Sequence, residues 1–247
     1  MEEKSLAVLC DGLRLRGGAY VPEEPRGVIV LLHGIPSASP PDPGDEGYPG
    51  LARRFAEEGW IAAWAGMRGA KESPGFFSIE GWVRDARAIV DAARALDGAV
   101  GLPLAILGSS AGGAVACEVV ARGARVNALV LFAAPSRWVS FAGEAAAAVK
   151  RIREEAGMEL APDVLVDPTG WASEFHSVTA EKAIVNVKVP VLVVHGDADD
   201  VVPVDHARRI AERSRSAELR IIEGAPHQLR RVEEAVEVAA EWLGRML

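Results

Sequence analysis

Leu104-Ala-Ile-Leu-Gly-Ser-Ser-Ala-Gly-Gly113 is the stretch from which the rest of the chain is read. The short apolar run suits one buried strand. It passes without a break into Gly108-Ser109-Ser110-Ala111-Gly112, a G-x-S-x-G pattern with an alanine-rich helical stretch behind it. In so sharp a strand-to-helix turn the central serine sits in a strained backbone conformation, its hydroxyl pointing off the end of the sheet. Glycine belongs two positions before and after it, where side chains would collide. The helix that starts at Ala111 aims its unpaired N–H groups and positive dipole end at the Ser110 oxygen. Ser109 does not fit the slot, because Leu107 stands where it would need glycine. By itself the pattern also fits a glycine-rich turn with an inert serine, so its surroundings decide.

Outward from this turn, strand and helix signals alternate. Upstream, Val28 to Leu32 is a continuous β-rich run, Leu51 to Glu58 has a helical pattern that stops at Gly59, and Trp60 to Ala65 reads as a strand. Glu80 to Leu96 carries apolar residues at helical spacing, and Ala128 to Ala133 follows the elbow helix as another buried strand. This order predicts right-handed crossovers and an α/β fold with a mostly parallel, doubly wound sheet. Residues 5–9 and 13–20, either side of Asp11-Gly12, are expected to pair as its antiparallel N-terminal edge. The alternation lapses at 136–188, which is expected to be a small helical lid inserted in a single domain spanning 1–247, being too short for a core of its own. A strand at 189–194, a helix at 205–213, a strand at 219–222 and a helix from about Leu229 to Leu247 resume the pattern.

Composition narrows the function classes. Of 247 residues, 49% are hydrophobic and 25% charged, an ordinary globular balance. A formal net charge of -8 argues against nucleic acid or an anionic membrane surface as partner. Cys10 and Cys117 are far apart and suggest neither a disulfide framework nor a metal site. The Met-Glu-Glu-Lys start lacks a signal-peptide pattern and no apolar run is long enough to span a bilayer, so a cytoplasmic protein is expected.

In a doubly wound sheet, chemistry gathers beyond the carboxyl ends of the strands. There the sequence places His33-Gly34-Ile35, Ser110, His195-Gly196-Asp197-Ala198-Asp199-Asp200-Val201-Val202-Pro203 and Gly224-Ala225-Pro226-His227. A serine, an acid and a histidine in this chain order suit a nucleophilic triad. Asp197, Asp199 and Asp200 compete for the acid position. A calcium loop fails, since its sixth position is Val202 instead of glycine and its twelfth is Arg208 instead of glutamate.

On His33-Gly34, Gly108 to Gly113, His195-Gly196-x-x-Asp199-x-x-Val202-Pro203 and Gly224-x-x-His227, the chain resembles the α/β hydrolase superfamily and is similar to its compact serine esterases, including feruloyl and cinnamoyl esterases. The likeness runs from about Val28 to the end. It implies Ser110 as nucleophile, His227 as general base and acid, Asp199 as the acid that orients it, and the backbone N–H groups of Ile35 and Ala111 as oxyanion hole. It implies no cofactor and a small-molecule ester as substrate, and leaves a homo-oligomer open. Thioesters and amides suit the same triad, and a catalytically silent binding scaffold is the alternative of another class. Phe76, Phe77, Trp138, Phe141, Trp171 and Phe175 are candidates for an apolar acyl or aryl pocket, or else simply hold the lid down. His33 and His195 match positions that bond nearby loop backbone, His206 is expected to be solvated, and His176 has no assigned role. Related enzymes usually carry D-x-R-G-x-G-x-S where this chain has Gly66-Met67-Arg68-Gly69-Ala70-Lys71-Glu72-Ser73. That departure, like the long 36–47 loop, falls on the walls of the expected site.

Overall fold

The computed structural model describes residues 1–37, 43–70, 72–138 and 144–247. Its main sheet has eight strands: β1 (Glu2–Ser5), β4 (Gly17–Val21), β5 (Gly27–Leu32), β6 (Trp60–Ala65), β7 (Leu104–Ser109), β8 (Ala128–Phe132), β9 (Val191–Gly196) and β10 (Ala217–Ile222). They lie in the order β1-β4-β6-β5-β7-β8-β9-β10. From β6 to β10 every neighbouring pair is parallel, while β4 joins β6, and β1 joins β4, in antiparallel register. Ser110 therefore lies at the end of a central strand, where parallel pairing on both sides fixes its position.

The hydrophobic alternation of β5 shows how the sheet is covered. Val28, Val30 and Leu32 face one core, Ile29 and Leu31 the other. The first core is closed by α2 (Ile79–Arg94), α3 (Ala111–Ala121) and α8 (Asp205–Arg213), the second by α1 (Gly47–Glu57) and α9 (Glu233–Met246). Two apolar faces need helices on both sides, as continuous apolar strands require. The stripe read from 80 to 96 is α2, started by Ser78, whose hydroxyl accepts from the Gly81 N–H at 2.8 Å.

The N-terminal hairpin corrects one expectation. Asp11 and Gly12, both at positive φ, do turn a hairpin, but it joins β2 (Val8–Cys10) to β3 (Leu13–Leu15) as a separate two-stranded sheet. The antiparallel edge of the main sheet is instead β1 and β4. Val8, Cys10 and Leu15 are buried against the α2 side of the core, which draws the hairpin out of the sheet plane. The final helix is also shorter than its pattern, because 229–231 form a separate 3₁₀ turn before α9.

Between 144 and 188 lie α4 (Ala145–Lys150), a π-helical turn at Arg151–Glu155, α5 (Pro162–Val166), α6 (Thr169–Ser177) and α7 (Ala180–Ala183). Helix α6 ends at Ser177 and α7 begins at Ala180, with a break between them. Val178 and Thr179 are extended and β-branched, and the Trp138 Nε1–H donates to the Val178 carbonyl at the break. The segment docks on the body through polar ends: Trp171 Nε1–H to the Phe77 carbonyl at 3.1 Å, and the Glu80 N–H to Glu174 Oε2 at 3.1 Å. Burial pushes the Glu174 carboxyl above its ordinary value. Among the described residues, no helix is long and apolar enough to cross a membrane.

Candidate active site

Ser110 caps α3 with φ 51° and ψ −123°, a region that favours glycine and costs about 1–3 kcal/mol for other residues. The strain is held by close packing. A Cβ on Gly108 would come within 2.5 Å of the Gly112 carbonyl oxygen, and one on Gly112 within 2.5 Å of the Leu32 and His33 oxygens. The Ser110 N–H is fixed to the Phe132 carbonyl on β8 at 2.7 Å. The loop after β5 passes as near: a Cβ on Gly34 would lie 2.9 Å from Ser110 Cβ and 3.4 Å from its Oγ. Glycine at 34 thus lets the backbone entering Ile35 run alongside the nucleophile candidate, while Ala111 supplies the first N–H of α3.

The acid and base candidates come from the loops after β9 and β10. His227 Nδ1 and Asp199 Oδ2 are 2.8 Å apart. Asp199 Oδ1 accepts the N–H groups of Val201 at 2.9 Å and Val202 at 2.8 Å. Burial works against its negative charge, but bonds from His195, His227 and the Val202 N–H outweigh it and hold the carboxyl well below the usual carboxylate range. The three carboxylates left open by the sequence separate by contact. Asp197 accepts the Gly224 N–H at 2.6 Å and so braces the turn that leads to His227, Asp200 is exposed, and Asp199 alone meets the imidazole.

His33 ties two loops together. Its Nε2 accepts the Met67 N–H at 2.9 Å, so its Nδ1 carries the hydrogen and donates to the Gly34 carbonyl at 2.8 Å. The altered 66–73 segment is anchored in its own way. Arg68 is buried and chelated by the fully buried Asp85, with Asp11 on its outer edge, and the Trp82 Nε1–H holds its carbonyl. Lys71 lies outside the described residues. His206 corrects another expectation: it is half-buried, not solvated. Its Nδ1 lies 3.0 Å from the Ser136 N–H and 2.9 Å from the Ser136 hydroxyl, and burial lowers its basicity.

The aromatic candidates divide. Phe77, Trp138, Trp171 and Phe175 are buried and pack on one another, with centroids 5.1 Å apart for Trp171–Phe175 and 5.4 Å for Trp138–Phe175. The column continues from Phe77 through Trp82 to His33, at 4.9 and 5.0 Å. Phe76 is 47% exposed and stands apart, and Phe141 lies outside the described residues. A cleft of about 580 Å³ is lined by other residues, among them Val149, Arg153, Met158 and Glu159. Among the described residues, no cluster of three His, Cys, Asp or Glu side chains is placed to hold a metal ion. Cys10 and Cys117 are free and buried, and burial pushes both thiols up, that of Cys10 to about 11.

Sequence reasoning missed a group beside the site. Arg230, three residues after His227, makes a two-pronged ion pair with Asp45, and its guanidinium lies over the Tyr48 ring at 5.8 Å. Tyr48 in turn faces His33 edge-on at 6.1 Å. The only signal was an arginine just past the Gly-x-x-His turn. Arg230 holds the Asp45 carboxyl down to about 2. That contribution to stability is complete above the ordinary carboxylate range and is lost as pH falls from about 4 towards 2. Arg230→Met should cost about 2 kcal/mol in urea unfolding near neutral pH and flatten this acid dependence. Unchanged midpoints at both pH values would show that the pair does not support the fold.

A profile of the serine aminopeptidase S33 family matches residues 23–186. No curated protein sequence matches the chain. Among solved structures it is similar to Est1E from Butyrivibrio proteoclasticus, solved with ferulic acid bound (21% identity, 97% of this chain and 98% of that one, TM-score 0.72). The Pyrococcus furiosus esterase Pf2001 superposes with TM-score 0.73 at 19% identity, over 99% of this chain and 93% of that one. The meta-cleavage product hydrolase CumD from Pseudomonas fluorescens gives TM-score 0.68 at 16% identity, over 97% of each chain. These likenesses carry the fold, and the family profile carries the class of chemistry. The chain is a hydrolase of the α/β hydrolase fold and belongs to the serine aminopeptidase S33 family.

Proposed function

We propose that the protein is a serine hydrolase that cleaves carboxylic esters through an acyl-enzyme on Ser110. The observation that carries this reading is the 2.8 Å contact between His227 Nδ1 and Asp199 Oδ2, on loops at the same sheet edge as the strained Ser110. A carboxylate can only accept, so His227 Nδ1 carries the hydrogen and Nε2 is left with a lone pair. That is the tautomer a general base needs. His227 takes the Ser110 proton as Oγ attacks the acyl carbon, then returns it to the leaving alcohol, and water repeats the cycle on the acyl-enzyme. Asp199 stabilises the imidazolium that forms between the two transfers. The N–H groups of Ala111 and Ile35 receive the oxyanion.

Likeness to Est1E and Pf2001 supports an ester as substrate, while the description of the family favours a second reading, hydrolysis of an amide next to a free amino group. The buried ring column of Phe77, Trp171 and Phe175 is proposed to stiffen the wall behind His33, and the 136–188 segment to roof the site. Turnover of p-nitrophenyl acyl esters should exceed that of acyl thioesters and of aminoacyl p-nitroanilides. A preference for the anilides would replace the esterase reading with the peptidase one.

A further inference from the structure

Asp199 has two oxygens, and the backbone and His227 do not account for everything around them. Oδ1 takes two N–H groups from its own turn, and Oδ2 takes His227. Oδ2 also lies 3.2 Å from Nε2 of a second imidazole, His195, whose side chain is fully buried. The same Nε2 is 2.8 Å from the Val202 carbonyl oxygen. A carbonyl only accepts, so Nε2 must carry the hydrogen, and that hydrogen is shared between Val202 O and Asp199 Oδ2. His195 Nδ1 is buried and makes no hydrogen bond among the described residues, so a second proton there would find no acceptor. The geometry therefore suits an imidazole with one donor, aimed at the same carboxylate oxygen that His227 meets. The other titratable groups nearby are engaged elsewhere, Asp197 by the Gly224 N–H and His206 by Ser136.

We propose that His195 is a positioning residue for the Asp199–His227 pair: its Nε2–H pins the carboxylate to the 199–202 turn and shares the oxygen that His227 uses. The sharing has two effects. It fixes the angle at which Oδ2 meets His227, and it draws off part of the carboxylate's strength as an acceptor, which sets how firmly His227 holds a proton between transfers. The role in turnover rests on the Ser110 hydrolase reading, whereas the placement of the hydrogen rests on His195, Val202 and Asp199 alone.

Three variants test it. In His195→Gln the side-chain nitrogen can reach the position of the imidazole Nε2 and keep the donor. His195→Leu removes the donor, and in His195→Asn the amide stops short of it. Two readouts are taken: steady-state hydrolysis of a p-nitrophenyl acyl ester across pH, and the low-field proton resonance of the hydrogen bond between His227 and Asp199 in the resting protein. The Leu and Asn variants should lose about tenfold in kcat with KM changed less than about twofold, as expected for a small misplacement of a reacting group. The acid limb of their kcat/KM profile should move to higher pH, and the low-field resonance should be displaced. His195→Gln should stay close to the wild type in all of these. Leu and Asn variants that fold and keep the wild-type profile and resonance would overturn the proposal. So would a Gln variant as impaired as Leu, which would reduce His195 to a space-filling role. If the Leu variant does not fold, the Asn and Gln pair decides. If the wild type cleaves no ester, the proposed function falls, and the resonance still reports on His195.

Discussion

Ser110→Ala is expected to lower kcat on a p-nitrophenyl acyl ester by about 10⁶-fold while leaving the melting transition and near-ultraviolet circular dichroism in place. The size follows from what the proposed mechanism asks of Ser110: its Oγ would form the covalent intermediate, and neither His227 nor the N–H groups around it could substitute. Folding should survive because the strained backbone at 110 is held by the close packing at Gly108 and Gly112 and by the bond from the Ser110 N–H to the Phe132 carbonyl, which alanine also makes. Alanine meets the same backbone demand as serine, since both carry a Cβ. A variant that retained the wild-type rate would end the esterase and peptidase readings together.

The second large effect belongs to Asp199. Asp199→Asn should cost about 10⁴-fold in kcat, because an amide can turn its NH₂ towards His227 and impose the wrong tautomer. Part of the loss arises before any substrate binds: the 201 and 202 N–H groups need an acceptor, so the amide oxygen turns to them and the NH₂ is left facing the imidazole. Asp200→Asn should leave the rate within about threefold, since that side chain is exposed. Asp197→Asn should fall between the two, because it loosens the Gly224 turn without touching the imidazole. Steady-state rates of the three variants under one condition check this ranking, and an Asp197 or Asp200 variant worse than Asp199→Asn would reassign the acid.

The parallel core of the sheet was legible because β5, β7, β8 and β9 are buried on both faces and so read as unbroken apolar runs. Ser110 was legible because the close approach of three backbones admits only glycine around it, and that leaves a mark in the sequence. The choice among Asp197, Asp199 and Asp200 left no such mark beyond spacing, since all three occupy one turn and differ only in which way they point. The hairpin at Asp11-Gly12 was placed in the wrong sheet for a related reason: strand alternation reports which face is buried, not what buries it. His206 was misread because a helix start is usually exposed, whereas here Ser136 folds back onto the imidazole. Asp45 and Tyr48 are far from Arg230 in the chain, and their meeting depends on how the segment entering α1 and the loop after β10 fold over the sheet edge. The column of rings from Trp138 to His33 combines four separate segments, and no local pattern announces it.

The central claim is that Ser110 is an activated nucleophile served by His227. It is tested most directly by treating the protein with a fluorophosphonate and mapping the adduct by peptide mass spectrometry. One adduct, on Ser110, is the predicted result, absent in Ser110→Ala and formed far more slowly in His227→Ala. An unlabelled protein, or an adduct on the neighbouring Ser109, would contradict the account.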